Sequence, residues 1–227
     1  MAETGARVYC SGPLFCPEEI AAMRSIAETL EAAGFATFLP QRDGVEPYVL
    51  PAVERGVLGS VRARRLEEFL GRAIFALDIH EIVEGCDALV FNLNGRVPDE
   101  GAAVEAGVAF AIGKPVVLYK RDARAAFRGH DNAMIRGLAR DYLAVRDVSA
   151  LPGALERALR AAGKSRAPEN ALPPRLREVC VFGRRVARVL AAVRRVGEPG
   201  EDVEAAKIRA LVELFERDGV AEEPVTR

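Results

Sequence analysis

The sequence predicts an α/β fold: a parallel five-stranded sheet with helices on both faces and a helical extension at the carboxyl end. Three observations predict it. Short apolar runs that read as strands alternate with segments of helical period. Most connections between them are short, as in sheets built from βα units and covered on both sides. After Gly163 the alternation stops and two helical patterns follow without a strand.

The elements follow in order. Arg7 to Ser11 reads as the first strand, ended by Gly12-Pro13. Pro17 to Ala33 reads as a helix, with Pro17 suited to its first turn and Gly34 to its exit. Phe35 to Leu39 is a second strand, stopped by Pro40. Residues 41 to 60 hold Pro47, Pro51, Gly44, Gly56 and Gly59, which predicts a long loop of the kind that serves as a lid or binding loop. Residues 62 to 84 are helical in pattern, with Leu66, Phe69, Leu70, Ile74, Ile82 and Val83 as the apolar set. Ala88 to Leu93 is the third strand. Residues 100 to 112 form a helix with Asp99 at its N-cap. Pro115 to Tyr119 is the fourth strand, Tyr142 to Val145 a weaker fifth, and Leu151 to Ala162 a further helix. A parallel sheet then gathers the turns Tyr9 to Leu14, Asn92 to Asp99 and Arg121 to Asn132 along one edge. Open α/β sheets bind their ligands there.

This gives a catalytic-size domain over residues 1–163 and a tail over 164–227. Residues 164 to 174 read as a linker. Residues 175 to 196 form a basic amphipathic helix, with Val179, Phe182, Val186, Val189, Leu190 and Val193 on one face. Residues 201 to 218 form a second, more acidic helix. The pair reads as a hairpin packed on its own domain or on a partner subunit.

The chain has 227 residues and a net charge of −1. Near-neutral charge gives no reason to expect nucleic acid or a membrane surface as partner. No apolar run approaches the ~20 residues that a membrane span needs. The N-terminus lacks the basic and apolar pattern of a secretory signal. Cys10, Cys16, Cys86 and Cys180 form no CxxC pair, and the only histidines are His80 and His130. We therefore expect no metal site and a reduced, cytoplasmic protein.

Glu105 is the residue that calls for an explanation. It stands among Ala102, Ala103, Val104, Ala106, Val108 and Ala109. Facing a core, its carboxylate would cost several kcal/mol unless paired or protonated. Facing a cleft at the sheet edge, it is a reactive group held on a rigid element.

Four pieces of sequence occur in order: Val8-Tyr9-Cys10-Ser11-Gly12-Pro13-Leu14-Phe15; Phe75-Ala76-Leu77-Asp78 followed by Gly85-Cys86-Asp87; Asp99-Glu100-Gly101-Ala102-Ala103-Val104-Glu105-Ala106-Gly107; and Arg121-Asp122-Ala123-Arg124 with Asn132-Ala133-Met134-Ile135 behind it. Together they resemble the nucleoside 2-deoxyribosyltransferase family over residues 6 to 146. The tail lies outside that pattern. The resemblance implies a flavodoxin-like, doubly wound fold and transfer of 2-deoxyribose between bases without a cofactor. It implies that Glu105, in a D-x-G-x-x-x-E motif with Gly101, is the nucleophile. It gives Asp99 the sugar's 5′-hydroxyl, Asp78 the base and its proton, and Tyr9 the positioning of Glu105. It implies that Asn132 completes the sugar pocket of a neighbouring subunit, hence a homo-oligomer with shared active sites whose small-molecule partners are a nucleoside and a free base. The chain departs from the pattern at Ala102 and Val104, where a small hydroxyl residue and an aromatic are common. That leaves base preference open.

The chemistry calls for these residue types independently. Cleaving an N-glycosidic bond builds positive charge at the anomeric carbon, which a carboxylate below the ring can trap as an ester. An acid above the ring must protonate the leaving base. Two carboxyl groups in unlike surroundings can hold different protonation states at one pH. Glu105 suits the lower position and Asp78 the upper.

Each residue also has a plain structural reading. Asp99 reads as a helix cap, a ligand or both. Tyr9 could pack beneath the helix, and Asn132 could cap a short one. Ser11, Gly12 and Pro13 could end a strand or bring backbone against substrate. Arg42 and Asp43 could touch the base or face solvent.

Three functions fit: transfer of deoxyribose between bases, hydrolysis of nucleoside 5′-monophosphates, and non-catalytic nucleotide binding. Asp99 favours a free nucleoside, because a carboxylate beside a 5′-phosphate is repelled. Arg42, Arg96, Arg121 and Arg124 at the same edge argue the other way.

Overall fold

The computed structural model describes residues 5–46, 61–95, 97–124, 131–163, 172–196 and 203–219. Its sheet has five strands: β1 (Arg7–Ser11), β2 (Ala36–Phe38), β3 (Ala88–Asn92), β4 (Val116–Tyr119) and β5 (Ala144–Val145). They run in the order β2-β1-β3-β4-β5, and every pairing is parallel. The chain moves outward from β1 to β2, then returns to place β3 on β1's other side. The ends of β1 and β3 therefore border the crevice where strand order reverses.

The helices are α1 (Pro17–Ala32), the short α2 (Pro40–Asp43), α3 (Val61–His80), α4 (Glu100–Ala111), the short α5 (Ala133–Arg136), α6 (Leu151–Ala162), α7 (Pro174–Val196) and α8 (Val203–Gly219). A π-turn over Glu81–Gly85 continues α3. Most of the 41–60 loop and the 164–171 part of the linker lie outside the described residues.

The chain forms two compact units. One is Met1–Asp43 with Glu81–Pro174, and the other is Gly44–His80 with Arg175–Arg227. This division does not fall at residue 163, because α3 belongs with the tail rather than with the sheet. Its apolar face finds the tail instead. Phe69 packs edge-on against Phe182 and Phe215, with ring centroids 5.8 and 5.4 Å apart. A Cβ added to Gly183 would lie 1.9 Å from the Ala76 carbonyl oxygen, so α3 and α7 meet there backbone to backbone.

In the sheet unit, period-two alternation sorts β1. Val8 and Cys10 join Met23, Ile26 and Leu30 of α1 and Leu151 and Leu155 of α6 in one buried core. Tyr9 and Ser11 take the other face. Among the described residues no helix is long and apolar enough to cross a membrane.

Candidate active site

Tyr9 and Ser11 are two residues apart on one strand, so their side chains share a face. Both are fully buried. The Tyr9 ring stacks on Phe38, with centroids 5.3 Å apart. Its hydroxyl donates to Glu105 Oε1 at 2.8 Å. The Ser11 hydroxyl donates to Glu105 Oε2 at 2.6 Å and also reaches the Ala102 carbonyl oxygen at 3.4 Å. Each oxygen of the Glu105 carboxylate thus accepts a hydroxyl from the same strand. Bonds to a charged acceptor are about twice as strong as neutral ones. They fix the carboxylate's plane.

Glu105 reaches this point because of how α4 begins and packs. Asp99 is the N-cap, and its Oδ2 accepts from the Ala102 backbone N–H at 2.7 Å. Its Oδ1 accepts nothing from the described residues, so capping leaves one oxygen open at the mouth of the helix. A side chain on Gly101 would put Cβ 3.3 Å from Oδ2, crowding the cap. Ala102, Ala106 and Ala109 are buried at helical spacing. These small residues let the helix lie close to the sheet, and Glu105 sits beside that stripe, partly buried. The turn after β1 is equally tight: a Cβ on Gly12 would come 2.6 Å from Met23 Sδ and 2.8 Å from Asn92 Cβ. Pro13, next to it, is buried.

The loops after β3 and β4 are tied together at the same sheet edge. Asn94 Oδ1 accepts from the backbone N–H groups of Arg121 and Asp122, at 2.8 and 2.9 Å. Asp122 Oδ2 accepts from Gly95 N–H at 3.2 Å. Side-chain bonding from Arg124, helped by backbone N–H groups, holds the Asp122 carboxyl well below the usual carboxylate range. Lys120 is buried, and its ammonium pairs with Asp131 Oδ1 at 2.5 Å and with the Gly95 carbonyl at 3.3 Å.

Other expected site residues have bonds of their own within the protein. Arg42 and Asp43, expected against the base, belong to a network beyond β2. Arg42 bonds Asp43 Oδ2 and Glu31 Oε1, each at 2.8 Å. The bond to Asp43, and after it the one to Glu31, hold its guanidinium well above the ordinary arginine range. Asn132 caps α5, its Oδ1 accepting from Met134 N–H at 2.9 Å. Arg96 lies outside the described residues. Ser11, expected against substrate, gives its hydroxyl to Glu105.

Asp78 belongs to the helical unit, on α3, and is buried. There its carboxyl is hydrogen-bonded to that of Glu46, also buried. Burial pushes Glu46 above its ordinary value, and the bond to Asp78 pulls the other way. Sequence reasoning passed over Glu46. Its signal was an acid just after Gly44, in a loop already expected to bind something. Among the described residues no group of three or more His, Cys, Asp or Glu is placed to hold a metal ion.

The family model described as nucleoside 2-deoxyribosyltransferase matches residues 8–139, more than half of the chain. No curated protein matches. Among solved structures, the chain is similar to a conserved protein from Enterococcus faecalis V583, with 21% identity and a TM-score of 0.49, covering 69% of this chain and 100% of that one. It is also similar to a 2-deoxyribosyltransferase from the psychrotolerant bacterium Bacillus psychrosaccharolyticus, with 22% identity and a TM-score of 0.44, covering 65% of this chain and 90% of that one.

Proposed function

Because the chain belongs to the nucleoside 2-deoxyribosyltransferase family, we propose that it exchanges the base of 2′-deoxynucleosides through a glycosyl ester on Glu105. One observation carries this reading: a partly buried carboxylate at the reversal point of the sheet, with a hydroxyl on each oxygen. A group held that way is aimed before substrate arrives, which lowers the barrier to attack at a sugar carbon.

The reaction then runs in two steps. A Glu105 oxygen bonds to C1′ while the C1′–N bond breaks, and that electron pair leaves with the base. The base takes a proton, which we assign to Asp78. That assignment follows the motif resemblance, which gives Asp78 the base and its proton. A second base attacks C1′ from the face the first one left, the ester opens, and the proton returns to Asp78. Two inversions give net retention.

Asp99 favours a free nucleoside. Its Oδ1 suits a 5′-hydroxyl as donor, and its charge disfavours a 5′-phosphate. Two of the arginines that could have offset this are already paired, Arg42 with Asp43 and Glu31, and Arg124 with Asp122. Asn132 and Met134 are exposed, Met134 at 81%, which suits contact with a second copy of the chain and a shared sugar pocket.

The test is incubation with deoxynucleosides, with and without a second free base, followed by chromatography. New nucleoside is the expected product. Free base alone would mean hydrolysis instead. Glu105→Ala should abolish both reactions with the fold intact, and retained turnover would remove Glu105 from the nucleophile's role.

A further inference from the structure

We propose that Ser11 is a positioning residue that selects Oε2 as the attacking oxygen of Glu105, holding it at rest and releasing it to the sugar by turning to the Ala102 carbonyl. The proposal rests on the reading of Glu105 as nucleophile.

The geometry gives Ser11 two acceptors. It is fully buried, with Glu105 Oε2 at 2.6 Å and the Ala102 oxygen at 3.4 Å. A serine hydroxyl has one hydrogen to give and turns freely about its C–O bond. Left without an acceptor in a buried site, that hydrogen would be costly. At rest the charged carboxylate oxygen is the better acceptor, and its bond is the shorter one.

That preference changes during the reaction. As Oε2 bonds to C1′ its negative charge is spent, and an ester oxygen is a poor acceptor. The Ala102 carbonyl keeps a second lone pair beyond its helix bond. The Ser11 hydrogen therefore has somewhere to go at the moment Oε2 must shed it. Tyr9 is bonded to Oε1, which becomes the ester's carbonyl oxygen and remains an acceptor. Ser11 transfers no proton. Only its hydrogen bond moves, and it moves back when the second base displaces Oε2.

Three variants and two readouts test this. Ser11→Ala should fold normally, since it removes one buried atom. It should lose about tenfold in kcat, because Oε2 is no longer aimed at C1′, with KM within about twofold. The pH at which activity is half lost on the acid side should rise, because a donor that favours the ionised carboxyl is gone. Ser11→Thr, which keeps the hydroxyl, should restore both. The second readout needs no turnover: carbodiimide labelling of Glu105 against pH, located by mass spectrometry, should titrate at higher pH in Ser11→Ala than in the parent protein. If kcat and the labelling midpoint match the parent, or if folded Ser11→Thr behaves like Ser11→Ala, the proposal is overturned. Glu105→Ala separates the two levels. If it is inactive while Ser11→Ala is unchanged, only the role of Ser11 falls. If it remains active, the nucleophile reading falls and Ser11's role with it.

Discussion

Asp99→Ser should convert a site that prefers nucleosides into one that tolerates 5′-monophosphates. The substitution removes a charge while keeping a cap. Asp99 Oδ2 holds the Ala102 N–H at 2.7 Å, and serine ranks with aspartate as an N-cap, so α4 should lose at most a few tenths of a kcal/mol. What changes is the field at the helix mouth. Two unit charges ~4 Å apart repel by about 4 kcal/mol at an effective dielectric of ~20. Asp99 is partly exposed, so solvent screening cuts this to about half, or ~2 kcal/mol. At ~1.4 kcal/mol per tenfold, the ratio of kcat/KM for deoxynucleoside 5′-monophosphate to that for deoxynucleoside should rise about 30-fold. With the carboxylate gone, the helix N-terminus itself favours an anion. The assay measures kcat/KM for both substrates in the parent protein, in Asp99→Ser and in Asp99→Asn, which also caps without charge. An unchanged ratio in both variants, with melting temperatures preserved, would refute the electrostatic reasoning.

Other expectations are as direct. Tyr9→Phe should lower kcat/KM by about 10- to 100-fold, since a hydrogen bond to a charged group contributes ~1.5–3 kcal/mol. Its melting temperature should hardly move, because the stack on Phe38 survives; a large drop in melting temperature with activity intact would assign the tyrosine to packing alone. Burial raises Glu46 above its ordinary 4.5, so the folded state binds that proton more tightly than the unfolded one. The stabilisation is complete below that ordinary value and is lost as pH rises through the folded-state value. Glu46→Gln should therefore gain stability relative to the parent as pH rises from about 4 to about 8, and a melting-temperature difference constant with pH would contradict this. Gly183→Ala should lower the melting temperature. The ~1 kcal/mol gained in helix preference cannot offset a Cβ 1.9 Å from a backbone oxygen of α3, and an unchanged or higher melting temperature would disprove the close helix contact.

The strands, α1, α4 and α6 were legible in the sequence because each is specified locally. Val8 and Cys10 alternate with Tyr9 and Ser11 at the period of a strand, and the alanine stripe of α4 repeats at the period of a helix. Asp99 announced its cap, and the capping bond is there. The spacing from Asp99 to Glu105 is a helical spacing, so the sequence alone could set both carboxylates on one element.

Contacts between distant segments were another matter. Ser11 bonds a residue 94 positions away, and nothing in the Ser-Gly-Pro turn says that its hydroxyl faces a carboxylate rather than substrate. Arg42 looked available for a ligand because its partner Glu31 lies 11 positions back, on α1. Helix 62–84 was assigned to the sheet by its place in the chain, but apolar faces have no address. Phe69 meets Phe182 and Phe215 because burying rings is favourable wherever the chain allows it. Period and capping are properties of neighbouring residues and can be read one segment at a time. Partner choice depends on which surfaces the fold brings within a few ångströms, and only the folded chain decides that.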